Sequence, residues 1–176
     1  MTKRVLNIGC GDSTEGTDFA DLYPQRKEVH AYNADMDELP FSDNTFDEVT
    51  NEYLFEHLKD RRLFLSEVYR VLKPGGSFYM QTDNAGFLLY HNKKSKVMTH
   101  MGGYKFHGED DKHYSLFTTA HIQLFLEDHR FEDISVTRFN RDGFSKPIEI
   151  LLWLIRKTRF EWITYAQLMA VGTKPL

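Results

Sequence analysis

The stretch "VLNIGCGDSTEGTDFADLYP", Val5–Pro24, decides the fold, because a short apolar run breaks at a glycine pair and an acidic residue follows soon afterwards. An apolar run of this length that ends at glycine is typical of a buried parallel strand. Gly9 and Gly11 let the backbone turn tightly, and they let a ligand approach without a Cβ in the way. The stretch therefore predicts a strand followed by a ligand-binding turn.

Length and composition bound the class of protein. A chain of 176 residues with 41% hydrophobic residues fills one core, so we expect a single domain over residues 1–176. The net charge of -4 gives no general attraction to nucleic acid or to anionic membranes. The single cysteine, Cys10, excludes an internal disulfide framework and fits a reducing cytosol. With no secretory signal and no apolar run of roughly 20 residues, we expect a cytoplasmic protein without a membrane span.

Apolar segments and turn residues alternate along the first half of the chain. Asp60 can cap a helix whose apolar positions Phe64, Val68 and Val71 share one face, and Lys73–Gly76 should end it. Strands are predicted at Val5–Ile8, Thr17–Leu22, Glu28–Asn33, Phe46–Thr50 and Ser77–Thr82. Strand, helix and strand in this order indicate a parallel sheet with crossover connections.

The second half of the chain carries one long polar segment and four further elements. Residues 83–117 are polar and irregular, and a loop of this length over a rigid sheet is expected to cover a substrate. Thr118 or Thr119 can cap the next helix, and Glu132–Phe139 and Tyr165–Thr173 alternate like strands. A helical insertion is predicted at 146–163. Its basic, aromatic part at 148–163 should pack on the domain or on a second subunit of a homodimer, with peripheral membrane contact as the alternative.

The glycine turn departs from the pattern of dinucleotide-binding proteins. Thr14 stands where a third glycine would complete the phosphate-binding loop, and Asp21 comes too early for the usual helix between the first two strands. A nucleoside without a pyrophosphate therefore fits this turn better than NAD does. An NAD-binding oxidoreductase remains a less favoured alternative.

Three segments together resemble a known family. "VLNIGCG", "ADMDELPFSDNTFDEV" and "EVYRVLKPGG" are similar to successive motifs of the class I S-adenosylmethionine-dependent methyltransferases, in the UbiE-like or type 11 group. The resemblance implies an α/β, Rossmann-like sheet, mostly parallel, with strand order 3-2-1-4-5-7-6 and an antiparallel last strand. Because the first strand begins at Val5 and Asp21 follows closely, the N-terminal helices should be reduced.

The same resemblance implies a set of cofactor-binding residues for S-adenosylmethionine and its product S-adenosylhomocysteine. Gly9 and Gly11 correspond to the close approach of the methionine part. The acid for the ribose hydroxyls is Asp21, because strand alternation from Thr17 places it at the strand end, with Asp18 as the competing choice. Further cofactor contacts are implied for Asp35 at the adenine amino group, for the Met36 backbone beside the adenine ring, and for Asn7, Cys10 and Asn51.

The resemblance also points to the acceptor side and to the possible functions. Tyr53 and His57 correspond to positions near the reacting methyl group, and His57 is either a general base or a packing residue. We expect methyl transfer to a small-molecule, glycan or lipid-linked acceptor, and not to nucleic acid. The alternative is a non-catalytic binding or scaffold subunit with the same sheet.

Several histidines lie in the long polar segment. Their spacing is irregular and neither a cysteine nor a carboxylate triad joins them, so no metal site is expected from the sequence. The positions in question are His91, His100, His107 and His113. His113 and Tyr114 directly precede a segment that weakly matches the family, and they are expected to approach the active site.

Overall fold

The computed structural model describes residues 2–87, 113–139, 152–158 and 165–176. It contains a seven-stranded sheet in the order β3-β2-β1-β4-β5-β7-β6. The strands are β1 (Val5–Ile8), β2 (Asp18–Asp21), β3 (Val29–Ala31), β4 (Phe46–Glu52), β5 (Leu72–Asp83), β6 (Glu132–Phe139) and β7 (Gln167–Thr173). The five neighbouring strands β3, β2, β1, β4 and β5 pair in parallel, and β7 is antiparallel to both β5 and β6. The predicted strand order and direction are confirmed.

The reduced helices are also confirmed. The connection from β1 to β2 and the connection from β2 to β3 contain turns and bends but no helix. As a result, β1, β2 and β3 follow one another closely in the sequence and end at the same edge of the sheet. Ligands of open parallel sheets bind at this edge, beyond the carboxyl ends of the strands.

The two longer helices of the described residues cover one face of the sheet. They are α1 (Arg61–Val71) and α2 (Thr119–Asp128). The Asp60 side chain accepts a hydrogen bond from the Leu63 amide at 3.0 Å, and Thr118 caps α2, as the polar residues at these positions predict. Both helices contribute to one core, which includes Leu6, Ile8, Phe55, Phe64, Phe78, Ile122, Leu126 and Leu168.

The opposite face of the sheet is more polar. Alternation along the strands turns Asn7, Thr50 and Tyr79 away from the face that carries Leu6 and Ile8. These three side chains line a second cavity of about 500 Å³, together with Glu15, Glu48 and Val171 among others. The two faces therefore present different chemistry to a ligand.

The start of β5 differs from the prediction. The strand was expected to begin at Ser77, but β5 starts at Leu72, directly after the helix. The segment between these residues pairs with the C-terminal part of the chain, because the Gly75 amide donates to the Lys174 carbonyl at 2.8 Å and the Lys174 amide donates to the Gly76 carbonyl at 2.9 Å. Gly75 adopts φ 76°, a conformation that glycine tolerates. A partner remote in sequence thus extends the strand.

Only part of the predicted covering loop and of the predicted helical insertion can be described. Residues 152–156 are helical, within the predicted insertion 146–163, and Leu152 is buried while Trp153 and Leu154 are each 53% exposed. The remainder of that insertion, and residues 88–112 of the predicted covering loop, lie outside the described residues. In the described part of the chain, no helix has the length and apolar character needed to cross a membrane.

Candidate active site

A cavity of about 300 Å³ lies at the carboxyl edge of β1, β2 and β3, and we call it the strand-end cavity. Its volume falls at the lower end of the range of about 300–1,000 Å³ that is usual for small-molecule sites. The wall combines apolar side chains with two carboxylates, a histidine and a lysine. It is formed by Ile8, Gly9, Asp21, Leu22, Tyr23, Tyr32, Asn33, Ala34, Asp35, Leu54, His57, Leu58, Lys59 and Tyr114.

Gly9 forms the part of the wall directly after β1. Its φ of 71° lies in the left-handed region, and its amide donates to the Ala20 carbonyl at 2.8 Å. A Cβ at this position would lie 3.2 Å from the Cβ of Leu54, which also lines the cavity. Glycine is therefore required here both by the backbone conformation and by the close approach of Leu54.

Asp21 ends β2 and lines the strand-end cavity. Its Oδ2 accepts a hydrogen bond from the Gly11 amide at 2.9 Å, and its Oδ1 accepts one from the Tyr23 amide at 2.8 Å. These two bonds fix the carboxylate in place. Since an ionised carboxylate offers about four acceptor directions, capacity remains for hydroxyl groups of a ligand.

Asp18 occupies the other end of the same strand and does not line the cavity. It forms a two-bonded pair with Arg4, at 2.7 Å and 3.0 Å, and it also accepts from the Thr17 hydroxyl. The hydrogen bond from Arg4 is the main cause that holds the pKa of Asp18 below its ordinary value. This acid has a structural partner of its own, so the geometry favours Asp21 over Asp18.

Asp35 follows β3 and lines the same cavity as Asp21. Its Oδ1 accepts hydrogen bonds from the backbone amides of Lys59 and Asp60, at 2.6 Å and 2.7 Å. The carboxylate thereby ties the loop after β3 to the start of α1. Asp35 serves the fold as well as the wall of the cavity.

One predicted cofactor contact, Asn7, lies away from this cavity. The Asn7 side chain is on the opposite face of the sheet, where its Nδ2 donates to the Glu15 carbonyl at 2.9 Å and holds the loop after β1. Its position follows from strand alternation, which places every second residue of β1 on that face. The Asn7 side chain is therefore not positioned to contact a ligand in the strand-end cavity. Met36 follows Asp35 directly; its side chain is 76% exposed and does not line the cavity, and the predicted contact concerns its backbone.

Four further predicted residues lie near the cavity but outside its wall. Gly11 contributes its amide to Asp21, and Cys10 is buried, where burial and the charge of Asp21 raise the pKa of the thiol. Asn51 is fully buried and its Nδ2 donates to the Ile8 carbonyl at 3.2 Å. Tyr53 has φ 54° and its amide donates to the Gln81 carbonyl. These four residues support the edge of the sheet.

His57 lines the cavity and belongs to a group of titratable side chains that we call the histidine cluster: Glu56, His57, Asp83 and His113. Glu56 and His57 lie in the short 3₁₀ helix Phe55–His57, and Asp83 ends β5. The rings of His57 and His113 lie 4.5 Å apart and nearly perpendicular to each other. His113 Nδ1 is 3.4 Å from Asp83 Oδ2.

Glu56 is the most buried member of the histidine cluster, with 1% of its surface exposed. Its Oε2 accepts a hydrogen bond from the Thr82 hydroxyl at 2.8 Å, whereas its Oε1 has no hydrogen-bond partner among the described residues. Burial, and then the negative charge of Asp83, raise the pKa of Glu56 to about 8. A carboxyl group of this kind is more common at functional sites than in ordinary packing.

The sequence alone does not show that these four residues lie together. Glu56 and His57 are adjacent in the sequence, but Asp83 and His113 come from different segments that meet only in the fold. The backbone provides the link, because the Tyr114 amide donates to the Glu56 carbonyl at 2.8 Å. The one available signal was that His113 and Tyr114 directly precede a segment that weakly matches the family, from which they were expected to approach the active site.

The chain is similar in sequence to known methyltransferases. Residues 12–80 match the family described as "Methyltransferase domain". The chain is 57% identical over 42 residues to the ubiquinone/menaquinone biosynthesis C-methyltransferase UbiE of Desulfotalea psychrophila. This aligned segment covers 24% of this chain and 17% of the relative. The chain is 39% identical over 76 residues to the demethylmenaquinone methyltransferase of Listeria monocytogenes, covering 43% of this chain and 29% of the relative. The matches thus span less than a third of each of these relatives.

A solved structure extends the similarity over the whole chain at the level of the fold. Phosphoethanolamine N-methyltransferase 2 of Haemonchus contortus, in complex with S-adenosyl-L-methionine, superposes with a TM-score of 0.64 at 19% identity, covering 100% of this chain and 49% of that one. The motif segments, the curated relatives and the strand order agree with one another. The predicted resemblance to the class I S-adenosylmethionine-dependent methyltransferases, in the UbiE-like, type 11 group, is confirmed by the family match over residues 12–80 and by these relatives, and the solved structure shares the fold.

Proposed function

We propose that this chain binds S-adenosylmethionine in the strand-end cavity and transfers its methyl group to a small-molecule, glycan or lipid-linked acceptor. The observation that carries the proposal is the position of Asp21. Its carboxylate lines the cavity at the end of β2, next to Gly9, and two backbone amides hold it there. A carboxylate fixed in this way suits the two hydroxyls of a ribose.

The charges of the cavity fit a sulfonium nucleoside better than a dinucleotide. Asp21 and Asp35 both line the wall, and they would attract a cationic ligand and repel a pyrophosphate. In dinucleotide-binding folds, the amides of the glycine turn and the following helix bind the phosphates. Here the Gly11 amide donates to Asp21, and no helix follows the turn. Both features argue against the NAD alternative.

Residues of the chain would position the cofactor and exclude water from it. We assign the ribose to Asp21, the adenine side to Asp35 and the close approach of the methionine part to Gly9. Ile8 and Leu58 supply apolar wall, which suits the faces of a nucleoside. Bound S-adenosylmethionine supplies an activated methyl group, so the protein mainly has to hold donor and acceptor in line.

The acceptor would approach from the side of His57 and Tyr114. His57 lines the cavity, and Tyr114 is 41% exposed at the same wall with Lys59 lying 5.0 Å over its ring. An imidazole at this place would accept a proton from an acceptor hydroxyl. The curated relatives are named for quinone biosynthesis, so a demethylmenaquinone-type compound is the first acceptor to assay.

The test compares two aspartates of the same strand. S-adenosylhomocysteine is titrated calorimetrically into the wild-type chain, into Asp21→Asn and into the matched control Asp18→Asn. We expect the Asp21 substitution to weaken binding at least about 30-fold, corresponding to roughly 2 kcal/mol for the lost charge-assisted hydrogen bonds. The control should bind within about twofold of the wild type.

Two results would contradict parts of the proposal. If the wild type releases no heat and gains no thermal stability with millimolar S-adenosylhomocysteine, the chain is not a cofactor-binding enzyme and the scaffold alternative is favoured. If both aspartate variants bind as the wild type does, the cofactor is held elsewhere.

A further inference from the structure

Three side chains of the histidine cluster bring possible metal-ligand atoms close together. One carboxylate oxygen of Glu56 and one ring nitrogen each of His57 and His113 lie within 4.8 Å of one another. Two imidazoles and one carboxylate are a set that first-row transition metals bind, in zinc enzymes and in non-haem iron enzymes alike. Modest side-chain rotations would bring the three atoms to metal–ligand distances of about 2.0–2.2 Å.

A second observation comes from the unsatisfied oxygen. Glu56 is 1% exposed, and its Oε1 has no hydrogen-bond partner in the described part of the chain. A buried acceptor without a partner costs about 1–3 kcal/mol, and more when the group is charged. In folded proteins, a buried oxygen without a protein partner is usually found where a ligand, an ion or a water molecule provides the missing bond.

The surrounding charges favour a cation at this place. Asp83 is also buried, with 6% of its surface exposed, and it lies 3.4 Å from the His113 ring. Two buried carboxylates in one region repel each other unless a proton or a cation lies between them. Carboxylates next to metal-bound histidines commonly orient the ring, and Asp83 is placed to do so for His113. Arg61 compensates Glu56 only in part, since its Nη2 donates to the Ser115 hydroxyl.

We propose that Glu56, His57 and His113 bind one divalent transition-metal ion, with Asp83 orienting the His113 ring. The site adjoins the strand-end cavity through His57, so open coordination positions would face the acceptor side. The proposal does not depend on methyl transfer, because metal binding is measured on the chain alone.

The spacing of histidines in the sequence argued against a metal site. The fold instead joins His113 to a Glu–His pair that lies 56 residues earlier.

The experiment measures metal uptake directly. The purified full chain is stripped with a chelator, dialysed against ZnCl₂ and analysed for bound zinc by mass spectrometry, and CoCl₂ is added to a second sample for its visible absorption spectrum. We expect about one zinc per chain and cobalt bands that report nitrogen and oxygen ligands. Glu56→Gln and His113→Ala should each lower the affinity at least about tenfold.

The controls separate this site from surface histidines and from unfolding. His30→Gln removes an exposed histidine of β3 and should leave the stoichiometry unchanged. Circular dichroism identifies any variant that fails to fold, and the wild-type cobalt spectrum needs no variant. A wild type that binds neither metal overturns the proposal. Affinity that is unchanged in both folded variants, or equally reduced in His30→Gln, also overturns it.

Discussion

The wall of the strand-end cavity and the histidine cluster adjoin each other, but they are built in different ways. Asp21 and Asp35 each accept two backbone amides, so their carboxylates are fixed before any ligand arrives. Glu56 is more deeply buried and keeps one oxygen without a partner among the described residues. The first region is therefore preorganised and stable, whereas the second carries an energetic cost that only a proton, a ligand or an ion can relieve.

The largest expected effect is a dependence of stability on pH, because burial disfavours the ionised form of the Glu56 carboxyl group. Because the folded pKa is about 8 and the ordinary value is 4.5, the folded chain keeps a proton that the unfolded chain releases between these values. The free energy of unfolding should therefore fall as pH rises from about 4.5 to 8, by on the order of a few kcal/mol. Glu56→Gln should flatten this dependence.

Chemical denaturation at several pH values, with a chelator present, measures the difference between the wild type and Glu56→Gln. The matched control is Glu127→Gln, an exposed position on α2, which should retain the wild-type slope. An equally steep fall in stability with Glu56→Gln would show that Glu56 does not carry this cost.

The next effect tests the preorganised region at Asp35. Asp35→Ala removes two short hydrogen bonds to the backbone amides at the start of α1, so the free energy of unfolding should fall by about 2–4 kcal/mol. Asp37→Ala removes a single bond, to the Asn33 amide at 2.8 Å, and should cost about half as much. Urea titration provides both values. Equal losses in the two variants would mean that Asp35 has no special part in joining β3 to α1.

The two glycines of the turn provide a smaller and more local comparison. Both have positive φ, at 71° for Gly9 and 49° for Gly11, so alanine strains either position by about 1–2 kcal/mol. Only at Gly9 does the added Cβ also meet another side chain, Leu54, at 3.2 Å, whereas nothing lies within 4 Å at Gly11. Gly9→Ala should therefore be the more destabilising of the two and should weaken S-adenosylhomocysteine binding more, as thermal melts and calorimetry would show. The reverse order would contradict the assignment of Gly9 to the cavity wall.

The smallest effect is expected at the exposed rim of the cavity. Lys59→Met removes the cation that lies 5.0 Å over the Tyr114 ring but keeps the length of the side chain. Such an exposed pair contributes about 0.5–1 kcal/mol, so the melting temperature should fall by only a few degrees. A loss comparable to that of Asp35→Ala would indicate that Lys59 belongs to the structural part of the wall.

Much of the fold could be predicted because its signals are local. Val5–Ile8 is an apolar run ended by glycine, Asp60 and Thr118 cap their helices, and the short connection before Asp21 leaves no room for a helix. The exceptions are tertiary. β5 begins at Leu72, which pairs with Phe46 of β4, and the segment that follows also bonds to Lys174. No pattern in Lys73–Gly76 could reveal these partners.

The candidate site divides in the same way. Gly9, Asp21 and Asp35 were predicted from motifs at strand ends, and the structure brings them around one cavity. Asn7 was assigned from the family resemblance, but strand alternation turns its side chain to the other face. His113 was expected to approach the active site. Its grouping with Glu56 and Asp83 was not predicted, because these residues meet only in the three-dimensional fold.

The most direct test of the central claim is a crystal structure of the chain with S-adenosylhomocysteine. We expect the ligand in the strand-end cavity, with both ribose hydroxyls within about 2.5–3.0 Å of the Asp21 carboxylate and the adenine on the side of Asp35. Ligand density in the second cavity, beside Asn7 and Tyr79 on the opposite face of the sheet, would contradict the claim. Density in the strand-end cavity with the ribose turned away from Asp21 would contradict it as well.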